Sequence, residues 1–405
     1  MDRPYMEYAF DSFSIILITI WSSVWIIHFG ALFHATRRLH KRWTQPIFSS
    51  ATPPSVSILK PLMGVDQNLY SNLESFFQLK YPSQFELLFC IEDKTDPAID
   101  VVNRLIDRYP KVDAKLFVGG NTIAPIGVNP KINNMQPGYY SSKYELLLIS
   151  DSRIYMKPNM LTHMVYCLIA EDGDSIGLVH QMPFTTDRNS LSGCLEQVFF
   201  GTTHARPYLF SDLIRVNCPN GMSTLMRKAV LDEAGGLVAF GRYLAEDFFI
   251  AKYFTDNGWS MRVDHQPALQ NAFDDDIGQF RRRILRWAQL RQSMLPHMIL
   301  LEPLGQCFFI GIAAAWSISY QFEWINPFIV FGVHVLCWFI CDFILCLIIR
   351  HSISFLFIIY FIPMWLLSEL LVTEAYLRAV VQPTIRWRGK RYRLRWGGLA
   401  VEVPQ

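Results

Sequence analysis

Charge is scarce in this chain. Of its 405 residues, 18% are charged and 51% hydrophobic, against a usual charged share of about 25%. The shortage is local: it falls almost wholly in residues 13–33 and 304–381, and the section between them has the balance of a soluble protein. A net charge of +2 supplies no basic field of the kind a phosphate backbone needs, so nothing favours nucleic acid as a partner. Metal-type cysteine spacing is also missing. The eight cysteines form neither paired zinc spacings nor the framework of a small secreted domain. Cys307, Cys337, Cys341 and Cys346 lie in apolar runs, where thiols act as small hydrophobes. Cys90, Cys167, Cys194 and Cys218 are scattered through the middle, as expected of reduced structural thiols on a cytosolic side. No internal repeat or low-complexity stretch is present.

Long apolar runs are plentiful. Residues 13–33 are uncharged and long enough for a transmembrane helix of about 20 residues; the apolar core of a cleaved signal peptide would be shorter, about 7–15 residues. Arg37, Arg38, Lys41 and Arg42 follow this run and only Arg3 precedes it. The positive-inside rule therefore sets the N-terminus outside and the middle section in the cytosol. Residues 304–322 and 324–349, the latter apolar apart from Asp342, read as an antiparallel pair of spans turning near Pro327. Residues 353–381 leave two readings open, because Pro363 interrupts them and Glu369, Glu374 and Arg378 follow. They form either one long tilted helix or a broken, re-entrant element. Residues 386–395 are strongly basic. Four simple spans would leave this tail in the lumen, against the charge rule, so the expectation is a cytosolic or interfacial tail and one segment that does not cross.

The middle section alternates short apolar runs with helical stretches. Residues 56–59, 85–91, 115–118, 145–149 and 176–179 predict strands. Residues 69–79, 98–109 and 160–170 carry apolar side chains at three- and four-residue intervals and predict helices. That alternation predicts a mostly parallel sheet covered by helices on both faces, with ligands beyond the carboxyl ends of its strands. Residues 44–54 read as a linker.

Asp93 and Asp151 each end an apolar run, and Glu246-Asp247 opens the apolar stretch 248–254. Transfer of a sugar from a nucleotide diphosphate needs the nucleoside held, the diphosphate neutralised and the acceptor hydroxyl deprotonated. Asp93 is a candidate for the uracil or ribose. Asp151 is a candidate for a metal ion, magnesium preferring oxygen donors, or for orienting the sugar. Lys131, in Asn129-Pro-Lys-Ile-Asn-Asn134, is a point charge for the diphosphate, with Asn133 or Asn134 free for donor hydroxyls. Ordinary readings stand beside these: turn and cap carboxylates for the acids, and a solvated Asn-Pro turn for residues 129–134. Asp247 is the candidate general base, although an acid in a first helical turn is often only a cap and dipole partner. Arg283, Arg286 and Trp287 fall at i, i+3 and i+4, so one helical face would present two guanidiniums and an indole. Arginines there could grip a leaving diphosphate, while Arg281, Arg282 and Arg291 suit lipid headgroups. His204, after the helical stretch 191–201, reads first as a satisfied structural histidine.

Across these residues the chain resembles the ceramide glucosyltransferases, glycosyltransferase family 21, related to family 2. The likeness runs through Asp96-Pro-Ala-Ile-Asp100, Gly119-Gly120, residues 128–134, Leu195-Glu-Gln-Val198, Gly221-Met-Ser223, Leu225-Met-Arg-Lys228, Glu246-Asp247, Met294-Leu-Pro296 and the tail 384–395. The resemblance implies a GT-A fold flanked by transmembrane helices, UDP-glucose as donor, ceramide as acceptor, inversion at the anomeric carbon, and a Golgi membrane protein with a cytosolic site. It places the family's spaced aspartates on Asp93, Asp151 and Asp247, its basic-x-x-Arg-Trp motif on Arg283, Arg286 and Trp287, and its active-site histidine on His204, with Glu246 beside the pocket. The expected organisation is an anchor (1–36), a basic linker (37–54), a transferase domain (55–296), membrane helices (297–382) and a basic tail (383–405). Magnesium or manganese is expected to assist, although Ser152 and Arg153 stand where an Asp-x-Asp motif would continue. Two rivals remain: a processive polysaccharide synthase, for which three or four spans make a poor tunnel, and a non-catalytic membrane scaffold or transporter.

Overall fold

Both kinds of apolar run find their own layer. The computed structural model describes residues 3–41, 52–120, 126–170, 175–186, 190–216, 218–272 and 276–404; most of the expected linker at 44–54 lies outside them. The chain divides into two compact units, one of Met1–Thr36, Asn189–Phe210 and Asp276–Ile385, the other of Arg37–Arg188, Ser211–Asp275 and Arg386–Gln405.

The second unit is built on β1 (Val56–Leu62), β2 (Phe85–Ile91), β3 (Asp113–Val118), β4 (Leu146–Ser150), β6 (Ile176–His180), β8 (Ser223–Arg227) and β9 (Ser260–Val263), in the order β3-β2-β1-β4-β8-β6-β9. Neighbours are parallel except at β8, which runs antiparallel to both β4 and β6. The sheet is thus mostly parallel, as the alternating pattern predicts, with one reversed strand that the pattern does not mark. β1, β4 and β6 are buried along their whole length, whereas the edge strand β3 is half exposed. Strands covered on both faces lose polar alternation, which is why their sequences read as continuous apolar runs. Helices α2 (Leu69–Phe77), α3 (Ala98–Arg108), α4 (Pro130–Ser141), α5 (Met160–Ile169), α8 (Lys228–Glu233) and α9 (Glu246–Asp256) complete the layers. A Cβ on Gly138 of α4 would lie 2.6 Å from both Cys90 Sγ and Leu59 Cδ1, so only glycine lets this helix settle so closely onto β1 and β2. A short sheet pairs β5 (Ile154–Tyr155) and β7 (Pro183–Thr185) with β10 (Ala268–Gln270), and a third joins β11 (Thr384–Trp387), β12 (Lys390–Leu394) and β13 (Ala400–Val403).

The segment 129–134, read as a turn, instead starts α4. Asn129 caps the helix by accepting from the Lys131 and Ile132 amides, and Pro130 sits in the first turn. A proline there has no hydrogen bond to lose and a φ already suited to the helix.

The first unit is helical. α1 (Arg3–Arg38), α13 (Pro327–Arg350) and α14 (Phe355–Val381) are each long and apolar enough to cross a membrane. α14 is one continuous helix through Pro363, which settles the open reading of that stretch. The break lies elsewhere: α11 (Met298–Leu304) and α12 (Cys307–Gln321) meet at 77°, whereas the sequence predicts a straight span over 304–322. Gly305 and Gln306 separate the two helices. α6 (Leu191–Gly201) packs against α13 and α14, and α10 (Ile277–Met294) against α14; α7 (Ala205–Leu213) follows α6.

Charged groups inside this apolar unit cluster around Asp342. Asp342 of α13 accepts from Trp365 Nε1 at 2.9 Å and lies 3.4 Å from Arg206 Nη1 and 3.3 Å from His28 Nε2. Asp342 and Arg206 are both buried, so deleting one strands the other, at a cost of about 3–5 kcal/mol. Asp342→Leu should therefore lower the thermal midpoint of the detergent-solubilised protein, and adding Arg206→Met should recover most of the loss. Equal midpoints for the wild type and Asp342→Leu would show that the pair holds nothing together.

Candidate functional site

The ends of β4, α4 and α9 are fastened by one amide and one ammonium. Asn129 donates through Nδ2 to Glu246 Oε2 at 2.8 Å and to the Tyr243 carbonyl at 2.7 Å, while its Oδ1 caps α4. One buried side chain therefore ties the first turn of α4 to the first turn of α9. Lys131 then reaches across. Its Nζ lies 3.0 Å from Asp151 Oδ1 and 3.0 Å from Glu246 Oε1, and donates to the Gly221 carbonyl at 3.2 Å. Burial works against this ammonium, but Asp151 and Glu246 outweigh it and hold its pKa above the ordinary lysine range.

Asp247 sits beside this bridge. Its Oδ1 accepts from the Phe248 amide at 2.9 Å, and a Cβ on Gly221 would come 2.8 Å from its Oδ2. Glycine is thus required at 221 for the carboxylate to lie against the chain. Burial, then the neighbouring Glu246, push the Asp247 pKa up to about 6, with Lys131 opposing.

Asp151 follows β4, its carboxylate 40% exposed. Its backbone is fixed at both ends: the amide donates to the Met222 carbonyl at 2.9 Å, and the carbonyl accepts from Lys60 Nζ at 2.7 Å. Lys60 is fully buried in β1, with Nζ 3.3 Å from Ser150 Oγ and 3.8 Å from the centre of the Phe76 ring. Burial brings its pKa down to about 7, against the pull of Asp151. The sequence reading passed over Lys60; a lone lysine in an otherwise apolar strand was the available signal. It also passed over the frame role of Asn129.

Asp93 is held within its own turn. Its Oδ1 accepts from the Thr95 amide at 2.8 Å and from Thr95 Oγ1 at 2.7 Å, and these bonds lower its pKa. The carboxylate is exposed and closes the turn before α3. Asn133 braces the loop at Ile126 and Gly127, and Asn134 donates through Nδ2 to the Leu62 carbonyl at 3.1 Å, while Asn134 Oδ1 has no hydrogen-bond partner among the described residues. Arg153 lies 3.4 Å from Asp66 Oδ2. Among the described residues, no group of three or more His, Cys, Asp or Glu is placed to hold a metal ion.

The helical unit contains a separate aromatic cage. His204 stacks on Tyr208, with ring centres 4.8 Å apart, and meets Phe200 at 5.2 Å, Phe199 at 5.3 Å and Trp287 at 5.6 Å. The Arg283 guanidinium lies 4.6 Å from the centre of the Trp287 ring and 5.7 Å from that of Phe200. Burial pushes the His204 pKa down to about 3, with Arg291 and Arg283 adding to the effect. The imidazole is therefore neutral, and its Nδ1 has no hydrogen-bond partner among the described residues. Arg283, Arg286 and Trp287 lie on α10 at the spacing read from the sequence. Arg286 makes no ion pair among the described residues, and burial lowers its pKa. The arginines assigned to lipid headgroups are engaged within the protein: Arg281 Nε donates to Glu374 at 2.7 Å, Arg282 lies 3.5 Å from Asp276, and Arg291 lies 3.4 Å from Glu302.

Comparison with known proteins places this arrangement in a family. The model of glycosyl transferase family 21 matches residues 23–400. Ceramide glucosyltransferase 1 of Caenorhabditis elegans is 39% identical over 391 residues, covering 96% of this chain and 82% of that protein. Ceramide glucosyltransferase 3 of the same organism is 40% identical over 375 residues, covering 93% and 79%. Among solved structures, a mannosyltransferase from Pyrobaculum calidifontis in complex with GDP-Man and Mn2+ aligns with a TM-score of 0.48 at 14% identity, over 90% of this chain and 99% of that one. A family model matching nearly the whole length, with relatives near 40% identity, settles the assignment: the chain belongs to glycosyl transferase family 21.

Proposed function

We propose that this protein is a membrane-bound glucosyltransferase of the GT-A type that transfers glucose from UDP-glucose to the primary hydroxyl of ceramide, with inversion, releasing UDP. The observation that carries the reading is the Lys131 ammonium bridging Asp151 and Glu246 beside Asp247, a partly buried carboxylate of raised pKa. The family membership and the names of the relatives support the donor and acceptor.

Asp247 is the general base. As the acceptor oxygen forms its bond to the anomeric carbon, the hydroxyl proton passes to the Asp247 carboxylate. The bond from that carbon to the diphosphate oxygen breaks, and UDP leaves with the electron pair. A pKa near 6 keeps the carboxylate ionised at neutral pH yet more basic than an ordinary aspartate, which is what proton abstraction requires. Lys131 faces the diphosphate as a fixed positive charge, Glu246 holds Lys131, and Asp93 receives the uridine. Arg283 and Arg286 are assigned to the growing charge of the leaving diphosphate, and Trp287 and His204 to the acceptor. Asp151 would hold magnesium or manganese. A single carboxylate plus substrate phosphates suffices for such an ion, and when bound it would neutralise diphosphate charge.

Residues 386–405 fold into the same unit as the catalytic sheet, which supports a tail on the same side of the membrane as that sheet. An even number of crossings must then separate them. α13 and α14 supply two, and the bent α11–α12 pair is the segment that does not cross. With the basic residues after α1 on the inside, sheet and tail both face the cytosol, and the membrane is that of the Golgi.

Purified protein given labelled UDP-glucose and ceramide should form a glucosylated lipid of ceramide size, with UDP-galactose a weaker donor and a chelator slowing the reaction. An insoluble polymer, or no lipid product, would overturn the reading. Because the ionised form of Asp247 is the active one and its pKa is raised, kcat/KM should fall as pH drops through about 6, not through about 4. Asp247→Asn should lower kcat by about 10²–10⁴-fold with UDP binding retained. Lys131→Met removes the cation that opposes the upward shift, so its residual activity should show the acidic limb at higher pH; an unmoved limb would detach Lys131 from the base.

A further inference from the structure

The hairpin formed by β11 and β12 turns at Arg388-Gly389, where φ is 49° and 76°. A two-residue loop with positive φ at both positions favours Asn-Gly, Asp-Gly or Gly-Gly, because other side chains crowd the backbone there. Arginine is a costly choice for such a position, and strain of this kind collects at functional sites.

The hairpin is also fixed to the site. β12 pairs antiparallel with β13 from Arg391↔Val403 to Leu394↔Ala400, and Leu399, just before β13, forms an antiparallel bridge with Tyr243. The Tyr243 carbonyl is the one that accepts from Asn129 Nδ2, which also donates to Glu246. The C-terminal sheet is therefore joined through one residue to the frame that positions Lys131 and α9. At the tip, Arg388 is half-buried and within electrostatic reach of Glu92, Asp151 and Glu246, yet among the described residues it forms no ion pair with any of them. Lys131, by contrast, is already shared between two carboxylates. A guanidinium beside the site and uncommitted to a carboxylate is the better match for an incoming diphosphate, which it can grip through two parallel hydrogen bonds.

We propose that Arg388, carried by the C-terminal hairpin, is a ligand of the donor's diphosphate, an inference that rests on the glucosyltransferase reading of the same site. The tail thereby completes the donor site, where a reading of charge alone made it only a cytosolic or interfacial stretch.

The test uses the full-length purified protein. Arg388→Gly removes the guanidinium and relieves the positive φ, Arg388→Asn tolerates the same φ, and Arg388→Lys keeps the charge without the fork. Competition against UDP-glucose is measured with UDP, UMP and uridine. Arg388→Gly and Arg388→Asn should raise the KM for UDP-glucose and weaken UDP by about tenfold or more, leaving uridine within about twofold, with Arg388→Lys intermediate. Their thermal midpoints should match or exceed that of the wild type. Equal weakening of UDP and uridine, or of neither, would overturn the assignment and leave Arg388 a turn residue. Failure of the wild type to bind UDP would overturn the whole site reading, this assignment included. An active wild type with unchanged Arg388 variants would sink the hairpin assignment alone.

Discussion

The site depends on a lysine placed where little water reaches it. Lys131 is mostly withdrawn from solvent at the start of α4, and its charge persists there because Asp151 and Glu246 each sit 3.0 Å away. Buried charges persist only when paired and hydrogen-bonded, so the three side chains specify one another's positions. They come from the start of a helix, the end of a strand and the start of another helix, far apart along the chain. Asn129 adds a neutral second tie between the two helices. The same arrangement raises the Asp247 pKa, because burial and Glu246 together exceed the pull of Lys131. The structural lock and the raised Asp247 pKa are one arrangement seen from two residues.

The membrane helices follow a related rule under a stricter solvent. Asp342 is fully buried, and three groups from three other helices converge on it: His28, Arg206 and Trp365. Arg206 follows His204 by two residues, so the ion pair that secures this segment to α13 also sets where the aromatic cage around His204 can form. Charges in apolar spans often mark transport pathways. Here Asp342 and Arg206 face each other at 3.4 Å, and Asp342 also holds Trp365.

Much of this was legible in the sequence where one physical signal dominated. The strand 85–91 and the helix 191–201 stand where periodicity put them, since burial on both faces or around a helix leaves an unmistakable apolar run. Asp151 and Glu246 could be singled out because they end or begin such runs. Less was legible where two signals compete. Asn-Pro suits a turn and a helix start equally well, and only the Asn129 cap decides between them. β8 was not read as a strand, because Ser223-Thr-Leu-Met-Arg227 is short and mostly polar, so its reversal was invisible too. Proline suggested a break in α14, yet the break fell at Gly305-Gln306, because a helix packed against its neighbours can absorb one proline. Arg388 was missed because it is defined by long-range neighbours and nothing local separates it from an ordinary tail residue, whereas Lys60 did carry a local signal, a lone lysine in an apolar strand.

The missing second acid after Asp151 takes on a different meaning once the cations are placed. A full Asp-x-Asp motif would add negative charge to a region that already holds Asp151, Glu246 and Asp247 around one lysine. In this chain the corresponding position is Arg153, whose Nε lies 3.4 Å from Asp66 Oδ2. Three carboxylates against one ammonium still leave the region net negative, which would repel a diphosphate unless further cations stand close. Lys60 lies just behind Asp151, but it is fully buried and its pKa is brought down to about 7, so its charge is only partly available at neutral pH. A guanidinium stays protonated in such surroundings, and Arg388 lies within electrostatic reach of Asp151 and Glu246. The C-terminal hairpin thus meets an electrostatic requirement that the spaced carboxylates themselves create.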